Sequence, residues 1–261
     1  MKTPAQAARW LARRGAPGAK LTFPLGECGR LGNQLHQIAA TIGIAWDLSS
    51  QAVFSRHWPY RRFYSLPDAL FGNAFMVARS RDSWKLAVGI DETIRAYLQE
   101  PALWRPYRET IQSWLQPSTL ALEAVSARHR KLLDLPSKAA IHVRRGDYVA
   151  STNHVVLPLS YYEQAAEIVI AADPSTAFLV FSDDIDWCRR NLRIPGVYFV
   201  EGNPDWLDMA LMSRCDHHIC ANSTFSWWGA FLSSDPSPIV PRPWPVEMLQ
   251  PEGWLELPVE G

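Results

Sequence analysis

The sequence predicts an α/β protein whose second half forms a doubly wound parallel sheet, and three observations carry that prediction. After Pro136, apolar stretches at 139–143, 176–181, 197–200 and 216–220 alternate with helical patterns near 160–172, 184–192, 204–214 and 223–232. Such alternation sets parallel strands in one sheet with helices against its faces. Each apolar stretch is also followed by polar residues: Arg144-Arg145-Gly146-Asp147, Ser182-Asp183-Asp184, Glu201-Gly202-Asn203 and Asn222-Ser223-Thr224. Open parallel sheets bind ligands beyond the carboxyl ends of their strands, so four such ends point to one crevice. The first half repeats the strand-then-helix signal, with residues 20–25 followed by 34–46.

Taken in order, the first half continues with a strand candidate at 51–55 and an aromatic, Arg-rich stretch through Trp114 whose order the pattern does not give. Helical character returns at 118–133, and Leu135-Pro136-Ser137 reads as the boundary between halves, because Pro disfavours helix in the residue before it. At the far end Ile239-Val240 offers a further strand. Pro-rich residues 236–245, with Trp244, read as a closing strand and a crossing toward the first half, where the tail is expected to pack.

Composition bounds the function classes. A chain of 261 residues, 48% hydrophobic and 20% charged, can bury a substantial core as one or two domains. Its formal net charge is zero, which disfavours non-specific nucleic-acid binding and makes the useful positive charge local. The N-terminus lacks the continuous apolar core of a signal peptide, and no later run reaches membrane-spanning length, so a cytoplasmic protein is expected. Residues 5–14, AQAARWLARR, could form a basic amphipathic turn that touches the inner face of a membrane, or simply a loosely docked terminus. Cys28, Cys188, Cys215 and Cys220 have no CxxC spacing, which reads as reduced thiols rather than disulfides or a zinc site.

The run from His142 through Asp147, followed by Tyr148, places two guanidiniums and a carboxylate directly behind an apolar strand. Arg presents a rigid fork of donors that matches phosphate oxygens, so Arg144 suits an anionic ligand such as a diphosphate; the competing reading is surface ion pairing with Asp147. Asp183 could accept paired N–H bonds from a guanine edge, while Asp184 suits the N-cap of the helix that follows. Two adjacent carboxylates in extended chain point to opposite sides, so a metal is not expected there. Asn222, Ser223 and Thr224 open the helix that contains Trp227 and Trp228, where a cap and a phosphate can share the first turn. The two tryptophans read as core packing, with sugar platforms as the alternative. In the first half, Gly29-Arg30-Leu31-Gly32-Asn33-Gln34 is a Gly-bearing loop before a helix, without GxGxxG spacing or a P-loop ending. Asn33 could cap that helix and face a cleft; His36 reads equally as a packed residue.

These residues carry a resemblance to the glycosyltransferase family 11 fucosyltransferases, of the α-1,2 type. The matching segments are GRLGNQLHQIA at 29–39, HVRRGDYV at 142–149, Tyr161-Tyr162, FSDDIDWC at 181–188 and DMALMSRCDHHICANSTFSWWGAFL at 208–232, with residues 47–135 matching least. The resemblance implies a GT-B-like architecture of two Rossmann-like lobes. An acceptor-side lobe would span 1–136 and a GDP-fucose-binding lobe 137–261, the tail packing back on the first. It further implies inverting transfer from GDP-fucose, without a metal or other cofactor, to a galactose-terminated glycan. By the same resemblance His142 and Asp183 contact the guanosine, Arg144, Ser223 and Thr224 bind the diphosphate, Asn222 belongs to the same donor site, and Asn33 meets the donor from the facing lobe. Arg145 would brace the loop through a carboxylate. Asp147 is the first candidate base and His154 the second, although a dissociative transfer needs little base assistance. Leu31, Leu35 and His36 depart from the usual pattern, as does the compact loop from Tyr148 to Leu159, which leaves the acceptor open. Alternatives are a fucosyltransferase of other linkage or acceptor, or a non-catalytic glycan-binding relative.

Overall fold

The computed structural model describes residues 20–23, 25–26, 29–47, 49–72, 98–152, 154–235, 237–243 and 253–259. The chain divides into two compact units, Met1–Ser118 and Thr119–Gly261.

In the first unit, β1 (Lys20–Leu21) leads through the Gly-bearing loop into α1 (Leu31–Asp47) and then into β2 (Gln51–Ala52), which pairs parallel with β1. Of the apolar residues at helical spacing, Leu31, Leu35, Ile38 and Ile42 are fully buried and Trp46 partly so, and the helix is buried nearly all round, with His36, Gln37 and Thr41 also enclosed. Gly43 allows this, because a Cβ there would stand 2.2 Å from the Leu103 carbonyl oxygen. The expected strand 51–55 is two short ones: β3 (Phe54–Ser55) follows Val53 and pairs parallel with β4 (Phe71–Gly72). In the aromatic stretch, whose order the sequence pattern does not give, residues 73–97 lie outside the described residues; residues 56–72 form 3₁₀ turns around Trp58, which stacks on Tyr64 and Phe71 with centroids 5.9 and 6.5 Å apart. Beyond it lies α2 (Arg108–Trp114), and Trp46 of α1 meets Tyr107 and Trp114 edge-on.

The second unit opens with α3 (Thr119–Leu133), which departs from helical geometry at His129 (φ −122°, ψ 27°). This helix, which precedes Pro136, belongs to the second compact unit. Its Ala121 and Val125 are buried. The side chains of Arg128 and His129 reach the Gly202 carbonyl at 3.0 Å and Asn203 at 3.0 Å. The strands and helices that follow are β5 (Lys138–Val143), α4 (Leu159–Ala172), β6 (Ala177–Ser182), α5 (Ile185–Asn191), β7 (Val197–Phe199), α6 (Asp205–Met212), β8 (His217–Ile219), α7 (Thr224–Phe231), β9 (Ile239–Arg242) and β10 (Leu255–Pro258). All six strands pair parallel in the order β10-β9-β8-β5-β6-β7. Every residue of β5 is buried, as is β6 up to Phe181, so these central strands read as apolar runs rather than alternations. In the tail, β10 extends the second unit's own sheet, with Leu257 and Val259 against its core. Residues 5–14 and Cys28 lie outside the described residues; Cys188, Cys215 and Cys220 are free and buried. Among the described residues, no helix is long and apolar enough to cross a membrane.

Candidate active site

Strand order fixes where a ligand can enter. From β5 the chain steps outward to β6 and β7, then returns to the opposite side of β5 as β8 and continues outward to β9 and β10. This is the Rossmann order, and the connections leaving β5 and β8 diverge to open a crevice between them. The loop after β5 carries Arg144 to Pro158, and the loop after β8 carries Cys220 to Ser223.

Arg144 emerges from β5 with its side chain only 13% exposed. Its Nη1 pairs with Asp183 Oδ2 at 2.7 Å, its Nη2 pairs with Asp147 Oδ1, and its guanidinium lies 5.1 Å from the Tyr148 ring centre. Arg144 is thus ion-paired, as the competing reading of the sequence has it, and it stands at the end of β5, where the strand order reverses. Asp183, for which a guanine contact is expected, has both oxygens bonded to the neighbouring loop. Oδ1 accepts the backbone N–H groups of Arg145 at 2.9 Å and Gly146 at 3.0 Å, while Oδ2 holds Arg144. The cause is register: Val143 pairs with Ser182, so the two loops leave side by side. Glycine is required at 146, where a Cβ would stand 2.5 Å from Asp183 Oδ2. Arg145 braces the loop, lying 3.7 Å over the Trp187 ring with Nε 3.4 Å from Asp184. Asp184 caps α5 by accepting from the Trp187 N–H.

Across the crevice, Ser223 caps α7 by accepting the Phe225 N–H at 3.3 Å, and Thr224 begins the helix. Asn222 is buried; its Nδ2 donates to the Val155 carbonyl at 2.8 Å, whereas its Oδ1 meets no partner. The Tyr148 hydroxyl donates to the Asn222 carbonyl at 3.1 Å and so ties the two loops together. Its ring also stacks on His154, centroids 4.4 Å apart, and the His154 Nδ1 meets Ser151 Oγ at 2.8 Å. His142 sits one residue inside the end of β5, buried, 5.4 Å from the Phe225 ring, with Nδ1 unpartnered. Burial pushes its pKa down to about 4, outweighing the attraction of Asp183, so the imidazole is neutral at pH 7. A buried imidazole nitrogen and a buried amide oxygen, both lacking partners at adjacent strand ends, leave hydrogen-bonding capacity for a ligand. Trp227 and Trp228 are buried and packed edge to face, so they are core.

Asn33 lies in the first unit, on the first turn of α1, where its Oδ1 accepts from Gln99 Nε2 at 2.7 Å. Its neighbour Gln34 is a hub that sequence reading missed: it donates to the Gly29 carbonyl and accepts from the Trp58 indole at 2.8 Å. Asp208 was also missed. Burial raises its pKa up to about 7, and Asp205 adds to the rise; the bond from Asn203 Nδ2 at 2.8 Å and the charge of Arg128 oppose it. Polar Asn203 behind β7 was the available signal. Among the described residues, no group of three His, Cys, Asp or Glu side chains is placed to hold a metal ion.

The chain is similar to several known proteins. An Escherichia coli O-antigen biosynthesis glycosyltransferase, WbnK, is 34% identical over 173 residues, covering 61% of this chain and 57% of that protein. An E. coli alpha-1,2-colitosyltransferase is 33% identical over 57% of this chain and 54% of its own length, so the chain spans little more than half of these two relatives. The galactoside alpha-(1,2)-fucosyltransferase 2 of Gorilla gorilla gorilla is 32% identical, covering 81% of this chain and 69% of that protein. In structure, POFUT1 in complex with GDP aligns with a TM-score of 0.50 at 16% identity, over 86% of this chain and 97% of that one. That likeness speaks for the fold alone, an α/β protein of the GT-B-like class. The family model of glycosyl transferase family 11 matches residues 104–245, which takes in the loops after β5 and β8 together with Asp183, and the chain belongs to that family.

Proposed function

We propose that the protein transfers L-fucose from GDP-fucose to a galactoside, with inversion, at the 2-hydroxyl of a terminal galactose in a surface polysaccharide or oligosaccharide. The observation that carries this reading is Arg144, a guanidinium held at the switch point of a Rossmann-ordered sheet, on a loop that Tyr148 ties to the residue before the cap of α7. As a nucleoside diphosphate leaves, negative charge grows on its terminal phosphate and the sugar becomes oxocarbenium-like. Preplaced cationic and N–H donors are most useful at that moment, each worth about 100-fold or more in rate. In this reading the second unit takes the donor. Arg144, Ser223, Thr224 and the α7 N–H groups meet the diphosphate, and His142 and Asn222 offer their unpartnered atoms to the nucleotide side. Asn33 of the first unit contacts the donor, the rest of that unit serves the acceptor, Asp147 or His154 receives the hydroxyl proton, and no metal takes part in the step.

The names of the relatives support the sugar and the linkage. One of them specifies colitose, which favours a second reading in which the same site transfers that sugar. Titrating GDP against ADP and UDP into wild type and Arg144→Ala, with and without divalent cation, tests the donor site. Incubation with GDP-fucose and galactosides, with the linkage read by NMR, then tests the transfer. Selective GDP binding that Arg144→Ala abolishes supports the reading. A folded wild type that binds no GDP sinks it.

A further inference from the structure

Both edges of the Arg144 guanidinium are occupied by carboxylates, and the two carboxylates differ in kind. Asp183 is 23% exposed, and its second oxygen is fixed by the backbone N–H groups of Arg145 and Gly146. Removing it would orphan two donors beside a half-buried cation. Asp147 is 57% exposed, sits in the 3₁₀ turn Gly146–Tyr148 and pairs with Arg144 three residues before it. An exposed pair of that sort adds little stability and exchanges easily. A phosphate oxygen approaching Arg144 at the switch point therefore meets one fixed partner and one replaceable one.

We propose that Asp147 is a stand-in anion: it holds the Nη2 edge of Arg144 until a diphosphate oxygen replaces it, while Asp183 stays on Nη1 as the positioning residue. This rests on the reading that Arg144 receives the diphosphate. The replacement does two things in one movement. The guanidinium keeps an anionic partner on both edges throughout, so it is never left half-buried and unneutralised. The displaced carboxylate is released within the loop only after the nucleotide has arrived.

GDP is the probe, titrated calorimetrically into wild type, Asp147→Asn, Asp183→Asn and Arg144→Ala, with thermal unfolding recorded for each. Asp147→Asn is expected to bind GDP about two- to fivefold more tightly than wild type, the scale of one exposed ion pair no longer competing. Asp183→Asn is expected to bind at least about tenfold more weakly, on the scale of a lost charge-assisted contact. Unchanged or weaker GDP binding by Asp147→Asn overturns the proposal, and Asp147→Ser provides a second variant with the same expected sign. The underlying diphosphate reading fails in a different way, through a wild type that ignores GDP or an Arg144→Ala protein that binds it normally.

Discussion

Replacing Asp208 by Asn isolates one buried carboxylate. Burial raises Asp208 from its ordinary 3.8 up to about 7. A group whose folded pKa is raised keeps its proton in the folded state while the unfolded chain releases it. The stability it contributes is present in full below about pH 4 and is lost as pH climbs through 7. A shift of about three units corresponds to a ceiling of about 4 kcal/mol at about 1.36 kcal/mol per unit, and local relaxation reduces this to about 2 kcal/mol. The amide oxygen of the substituted side chain would still accept from Asn203 Nδ2, which lies 2.8 Å from the present acceptor, so only the charge is deleted. Urea midpoints of both proteins between pH 4 and pH 8 provide the assay. Asp208→Asn should match wild type near pH 4 and exceed it by about 2 kcal/mol near pH 8. A difference that stays constant with pH, or a variant weaker than wild type at pH 8, would refute the argument.

Three further outcomes are expected. Gly146→Ala pushes Asp183 off Arg144, since the new Cβ would stand 2.5 Å from Oδ2, the oxygen that holds Arg144, in a carboxylate whose Oδ1 is fixed by two backbone N–H groups; about 1–3 kcal/mol of stability and about tenfold in GDP affinity should be lost, read by urea unfolding and calorimetry. The two ring nitrogens of buried His218 face the Met212 carbonyl at 2.8 Å and Asp235 Oδ2 at 3.1 Å, while Asp235 Oδ1 accepts the Ser237 N–H. Asp235→Ala should therefore cost about 3–5 kcal/mol, whereas Asp235→Asn, whose amide can donate to Nδ1, should cost about 1 kcal/mol or less; equal losses in the two would contradict this arrangement. Arg145→Lys gives up the flat stack on Trp187 and should cost about 1 kcal/mol in urea unfolding, with GDP affinity changing far less than in Arg144→Lys.

Much of the second unit was legible because parallel strands buried on both faces leave continuous apolar runs, and β5, β6 and β8 fall on the expected stretches. The capping roles of Asp184 and Ser223 were legible as well, since a cap depends on side chains within three residues of it. The short strands of the first unit were not. β2, β3 and β4 have two residues each, too few to show a period, and Trp58 is ordered by rings and a glutamine that are distant in sequence.

The sequence by itself determined which residues are chemically able to act: the guanidinium of Arg144, the neutral-capable imidazole of His142, the cap at Ser223 and the Gly146 that permits a close turn. Only tertiary structure decided their partners. The strand order put β8 beside β5, so Tyr148 could reach Asn222, and the register of β5 with β6 turned Asp183 from a free carboxylate into the clamp of Arg144. The same holds for Asp208, whose proton depends on burial beneath α3, and for β10, which completed the second unit's sheet. Local chemistry is written in residue identity and spacing along the chain. Which groups are desolvated and which are neutralised depends on the elements the fold brings against them, and those elements lie dozens of residues away.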